Sequence, residues 1–197
     1  MKANETAVVL IEFQNDFVSE GGALHDGVRE VMDRVGTLAN AKDLVEKARG
    51  RSMIVFVPIV FSPDYSEIAN PTAPLAACIA NKAFRRGTWG AEIVEDLGPE
   101  PGDVVVEGKR SCCGFATTNL DFLLRQKGIR NLAVGGFLTN VCVESTVRTA
   151  ADLGYNVVTL ADCTASLTME EETHATRKVL PYFSRVVTHD EFLAELE

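Results

Sequence analysis

The 197-residue sequence has no apolar run approaching the roughly 18 residues of a membrane span. Its first residues, "MKANETAVVL", lack the long apolar core and small-residue cleavage site of a secretory signal, so a cytoplasmic location is expected. Basic residues are outnumbered, 19 Lys and Arg against 28 Asp and Glu, for a formal net charge of −9. Nucleic acid and anionic membrane both require clustered Lys and Arg, so neither is expected as a partner. Histidine is scarce, and His25, His174 and His189 are scattered rather than set at ligand spacing. With no CxxC pair either, no metal and no cofactor is expected. The five cysteines are an odd number without framework spacing, and adjacent Cys112 and Cys113 cannot form an unstrained bridge. They are read as free thiols.

What the chain does have is an apolar pattern whose period alternates. "TAVVLIEF" and "SMIVFVPIVF" read as buried strands, the second limited by Pro58. Between them, residues 27–49 carry Val28, Val31, Met32, Val35, Leu38, Leu44, Val45 and Ala48 at helical spacing, closed by Gly50. Residues 62–90, with Pro63, Pro71, Pro74 and Gly87, read as one irregular loop. "AEIVEDL" suggests a short helix, "DVVVEG" a third strand and "TTNLDFLLRQKG" a capped helix. "NLAVGGF" then gives a fourth strand with its helix, and "NVVTLA" a fifth. A helix over 169–181, the strand "SRVVT" and a terminal helix from Asp190 complete the chain. This alternation predicts a single α/β domain over 1–197. Its form would be a three-layer doubly wound sheet of six mostly parallel strands with helices on both faces.

Sheets of this kind bind ligands at the carboxyl ends of their strands. Asp16 lies beyond the first strand, Lys109 beyond the third, and Cys142 beyond the fourth, where a helix begins. A carboxylate, an ammonium and a thiol would thus meet at one sheet edge. A helix N-terminus and an ammonium both favour thiolate, so Cys142 is expected to titrate below pH 8 and to be alkylated ahead of the other thiols. Asp16 would relay the thiol proton, Lys109 would orient Asp16, and backbone N–H groups before the helix would receive an oxyanion. This is the equipment of acyl transfer through a thioester.

The blocks "VVLIEFQNDF", "VVVEGKRSCCGF" and "GGFLTNVCVESTVRTAADLGYNVVTLADCTAS" resemble the isochorismatase-like cysteine hydrolases, in order and spacing and over nearly the whole chain. The resemblance implies the same doubly wound fold and a catalytic triad of Asp16, Lys109 and Cys142. It further implies a cis peptide at Phe137–Leu138 and an oxyanion hole from the N–H groups of Leu138 and Cys142. It also implies a homodimer or homotetramer. Glu12 stands where many members have Asp and is read as a structural partner inside the sheet. Phe17, Trp89 and Phe115 are candidate pocket walls, and Arg85 and Arg86 candidate contacts for a substrate carboxylate.

The nicotinamidases of that family carry an Asp-x-His metal pattern, whereas "VFSPDYSEIA" has Asp64 and no histidine. A cysteine nucleophile in turn favours an amide over the vinyl ether of true isochorismatases. The expected activity is a metal-independent amidohydrolase cleaving the C–N bond of a small carboxamide or N-carbamoyl (ureido) compound. The alternatives are an idle ligand-binding relative and a vinyl-ether hydrolase centred on Asp16.

Overall fold

The computed structural model describes residues 1–197. β1 (Thr6–Ile11) is a β-branched run buried at all six positions, and it forms the centre of the sheet. After it come α1 (Asn15–Val18), α2 (His25–Val35), α3 (Thr37–Ala48) and β2 (Met53–Val57). α4 (Ala73–Asn81), β3 (Val104–Val105), α5 (Leu120–Gln126) and β4 (Asn131–Phe137) follow. The chain closes with α6 (Glu144–Asp152), β5 (Asn156–Ala165), α7 (Met169–His174), β6 (Arg185–Val187) and α8 (His189–Ala194).

All six strands are parallel in the order β3-β2-β1-β4-β5-β6. Winding runs outward in both directions from β1, so the order reverses between β1 and β4, where doubly wound sheets open a crevice. Helices cover both faces, as expected. Val28, Val31, Leu44 and Phe192 of α2, α3 and α8 pack in one core, while Leu120, Leu124, Val147 and Ala150 of α5 and α6 pack in the other.

Four local expectations are corrected. The helix over 27–49 is two helices, parted at Gly36, whose left-handed φ of 80° ends one and starts the next. The loop at 62–90 contains α4, with Pro74 in its first turn, where a missing N–H costs no hydrogen bond. "AEIVEDL" is not helical. Ile93 bridges to Gln14 and Val94 N–H donates to Phe13 O, so pairing with the chain beyond β1 overrides local periodicity. The helix over 169–181 is α7 followed by a wide turn and a tight one.

Candidate active site

The crevice holds a cavity of about 640 Å³ lined by residues from both sides of the switch, including Glu12, Phe17, Cys112, Leu138, Asn140 and Cys142. One side of it is the turn that follows β4. Gly136 has a φ of 134°, and a Cβ there would lie 2.0 Å from Ile11 O, so the strand can pass β1 only without a side chain. The next peptide, Phe137–Leu138, is cis. The chain then enters one π-helical turn, Thr139–Val143, ahead of α6. Leu138 O accepts from Val141 and Val143 N–H and passes over Cys142. Thr146 locks the turn to the opposite wall, donating to Cys142 O at 2.7 Å and accepting from Gly114 N–H at 2.8 Å.

The carboxylate that meets Lys109 and Cys142 in this structure belongs to Glu12. Glu12 is the first residue past β1, with φ 56°, and it is buried. Lys109, fully buried, donates its ammonium to Glu12 Oε1 and to Ser111 O. Burial alone would push that ammonium's pKa down, but the charges of Cys142 and Glu12 outweigh it and hold it above the ordinary value.

Asp16 is oriented elsewhere, which corrects the expectation that Lys109 orients it. Its Oδ2 accepts from Phe84 N–H at 2.6 Å and its Oδ1 from Ala23 N–H at 3.0 Å. Gly90 presses against it, since a Cβ there would lie 2.1 Å from Oδ1. Its neighbours act alike. Gln14 bonds Ile59 N–H and O and Ala91 O, and Asn15 donates to Trp89 O. "QND" is therefore a clamp that gathers three loops around the crevice, while the acid one turn earlier faces the thiol.

Cys142 is not a low-pKa thiol in the resting protein, contrary to expectation. The Cys112 thiol, burial and the Glu12 charge push it well above its ordinary value, against the downward pull of Lys109. Cys142 in turn lowers Cys112. The adjacent thiols diverge, for Cys113 donates to Thr149 Oγ1 at 3.3 Å, on α6. All five cysteines are free.

Of the proposed pocket walls, Phe17 lines the cavity and stacks on Phe137 with ring centroids 5.4 Å apart. Trp89 does not, and its side chain stands 50% exposed, because the clamp holds its backbone and not its ring. Phe115 is also outside, packed on Tyr155 at 5.9 Å, and neither Arg85 nor Arg86 lines the cavity. Asp64 accepts from Ser62 and Ser66 on the surface. His189 is held between Asp162 at 2.6 Å and Asp43 at 3.2 Å, a hydrogen-bonded tie from α8 to β5 and α3.

Behind the turn lies a polar chain that sequence reading missed. Glu172 Oε2 is 2.6 Å from Thr139 Oγ1, which is 2.8 Å from Thr164 Oγ1, itself 2.6 Å from Gly136 O. Three contacts share only two hydroxyl hydrogens, so all three are satisfied when Glu172 carries the third. Burial raises its pKa, against the hydrogen bonds of Thr139 and Ser166, which pull it down. The unfolded chain releases this proton from about pH 4.3, and the folded chain keeps it longer. Stability is therefore lost as pH rises from the unfolded to the folded value. Glu172→Gln, which cannot ionise, is expected to gain about 2–4 °C in Tm relative to wild type between pH 5 and pH 8, read by paired thermal melts.

Three comparisons bear on this geometry. A family model described as the isochorismatase domain matches residues 6–191. Ureidoacrylate amidohydrolase RutB of Rhizobium rhizogenes is 36% identical over 98% of this chain and 84% of its own, and that of Agrobacterium fabrum is 34% identical over 98% and 90%. A crystal structure of a cysteine hydrolase from Pseudomonas syringae pv. phaseolicola superposes with TM-score 0.87 at 25% identity, covering 98% of this chain and 93% of that one. N-carbamoylsarcosine amidase from Thermoplasma acidophilum gives TM-score 0.72 at 26% identity, over 94% and 97%.

Proposed function

This chain belongs to the isochorismatase family of hydrolases, and we propose that it is a cysteine amidohydrolase acting on a small carboxamide or N-carbamoyl (ureido) compound. The observation that carries the reading is that Glu12, paired with fully buried Lys109, lines one cavity together with Cys142. The amidohydrolase activity named for relatives at 34–36% identity supports it.

In this reading Cys142 is the nucleophile and Glu12 the acid–base residue, a role first expected of Asp16. A thiol whose surroundings favour the neutral form requires a base at the moment of attack. Glu12 accepts the Sγ proton as sulfur bonds to the carbonyl carbon, then returns it to the departing nitrogen. The products of this half are ammonia or an amine and a thioester. Water, deprotonated by Glu12, then releases the acid or carbamate and the thiol. Lys109 keeps Glu12 ionised and oriented. The N–H groups of Leu138 and Cys142 are the oxyanion donors, and one such donor is worth about 3 kcal/mol in well-studied enzymes. The π turn leaves Leu138 O bonded to Val141 and Val143 N–H, around Cys142 rather than to it.

No helix is long and apolar enough to cross a membrane. We assign the chain to the cytoplasm and to a homodimer or homotetramer, supported by the exposed apolar side chains Phe122 (65%) and Tyr182 (82%). Light scattering that returns about 21.4 kDa, the monomer mass, would remove the oligomer.

The direct test is ammonia release from a panel of small primary amides and N-carbamoyl compounds, with acid-quenched protein weighed intact. Turnover with an acyl or carbamoyl mass on the Cys142 peptide is expected. Turnover with no adduct in the quenched protein and undiminished rate in Cys142→Ser would move the chemistry off sulfur.

A further inference from the structure

The charge of the cavity wall says which amides fit. Thirteen of its 21 lining residues are hydrophobic, and the charged ones are Glu12, Asp26 and Glu171, all acidic. No Lys, Arg or His contributes to the wall. Lys109, the cation beside Glu12, is fully buried, with its ammonium bonded to Glu12 and Ser111 O. Arg86 lines a different recess with Arg110, away from the nucleophile.

A substrate carboxylate bound here would lose its hydration against an apolar wall and gain no cation in return. It would also sit among carboxylates of its own sign, under the field of a chain with net charge −9. The apolar lining comes from Phe17, Leu24, Ile59, Leu75, Val141 and Leu167, drawn from segments on both sides of the switch. These side chains suit a hydrocarbon acyl group.

Resting on the amidohydrolase reading above, we infer that the site takes an uncharged amide or carbamoyl compound whose far end is apolar, and discriminates against carboxylates. Ureidoacrylate, the compound named for the relatives, has an anionic acrylate end and falls on the disfavoured side.

The test compares three amides of equal length on the intact protein: hexanamide, the monoamide of adipic acid and 6-aminohexanamide. We expect kcat/KM at least tenfold higher for hexanamide than for the carboxylate-ended amide, with the ammonium-ended one between them. Parity, or preference for the carboxylate, overturns the inference. In Asp26→Lys the carboxylate-to-methyl ratio should rise severalfold, and an unchanged ratio also counts against it. The same three compounds are titrated calorimetrically into Cys142→Ala, which reads charge discrimination without turnover. Tight binding of hexanamide with no turnover of any amide by wild type would sink the hydrolase reading and leave this inference standing. Tighter binding of the carboxylate-ended amide would sink the inference whatever the turnover.

Discussion

Glu12→Gln is expected to lower kcat/KM for any amide substrate by about 10²–10⁴ and to destabilise the fold at the same time. The two effects share one cause. Glutamine keeps the shape of the side chain but accepts no proton from sulfur, so attack must proceed from a thiol that burial, Cys112 and neighbouring charge hold in its neutral form. Meanwhile Lys109, fully buried, loses its counter-charge. Breaking a buried pair from one side costs about 3–5 kcal/mol, or about 10 °C in Tm for a chain this long. Glu12→Asp separates the effects, for it returns the charge but moves the carboxylate back by one methylene. It is expected to recover most of the stability and only part of the rate. Asp16→Asn makes the contrast. One of the two amides it holds, Phe84 N–H or Ala23 N–H, keeps an acceptor and the other loses it. The expected cost is about 1–3 kcal/mol of stability, with kcat/KM within about tenfold of wild type. Rates and melts on the three variants decide between the carboxylates. Inactive, well-folded Asp16→Asn beside active Glu12→Gln would reverse the assignment.

Why Asp16 stood out in the sequence, and not the acid that pairs with Lys109, has a physical answer. Both acids follow the first strand, four residues apart, and position past a strand end selects either. What separates them is side-chain direction at the residue where β1 stops. Glu12 leaves the strand in a left-handed conformation, and only the folded loops show that Asp16 turns back toward Phe84 and Ala23. One signal was available. A lysine placed to be buried needs a buried counter-ion, and an acid inside the apolar run "VVLIEF" is buried by that context. The sheet was far more legible, because continuous β-branched runs between helices leave few other solutions. Short elements were not. "AEIVEDL" has helical spacing and lies against the chain after β1 instead, while α4 was hidden by the prolines around it. The Glu172–Thr139–Thr164 chain joins residues 25 and 33 apart that no local pattern connects.

Cys142→Ala is expected to remove turnover altogether, about 10⁵-fold or more in kcat, because proton transfer by Glu12 and oxyanion donors have nothing to act on without a nucleophile. The loss should come without a loss of fold, since the side chain removed is small and Thr146 still anchors the turn through the backbone carbonyl of residue 142. Cys142→Ser is the sharper variant. Serine restores a nucleophilic atom in the same place, but its hydroxyl is far less readily deprotonated than a thiol, so residual rate above Ala should be small. Cys112→Ser then isolates the neighbour's part. It replaces the thiol that is the first cause of the upward shift of Cys142. Alkylation of Cys142 should therefore begin at lower pH in Cys112→Ser than in wild type. An unmoved profile would mean that Glu12 and burial alone set the protonation of the nucleophile. Together the variants test the proposed division of the site, in which sulfur supplies the bond, Glu12 the proton transfer and Lys109 the charge that keeps Glu12 ready.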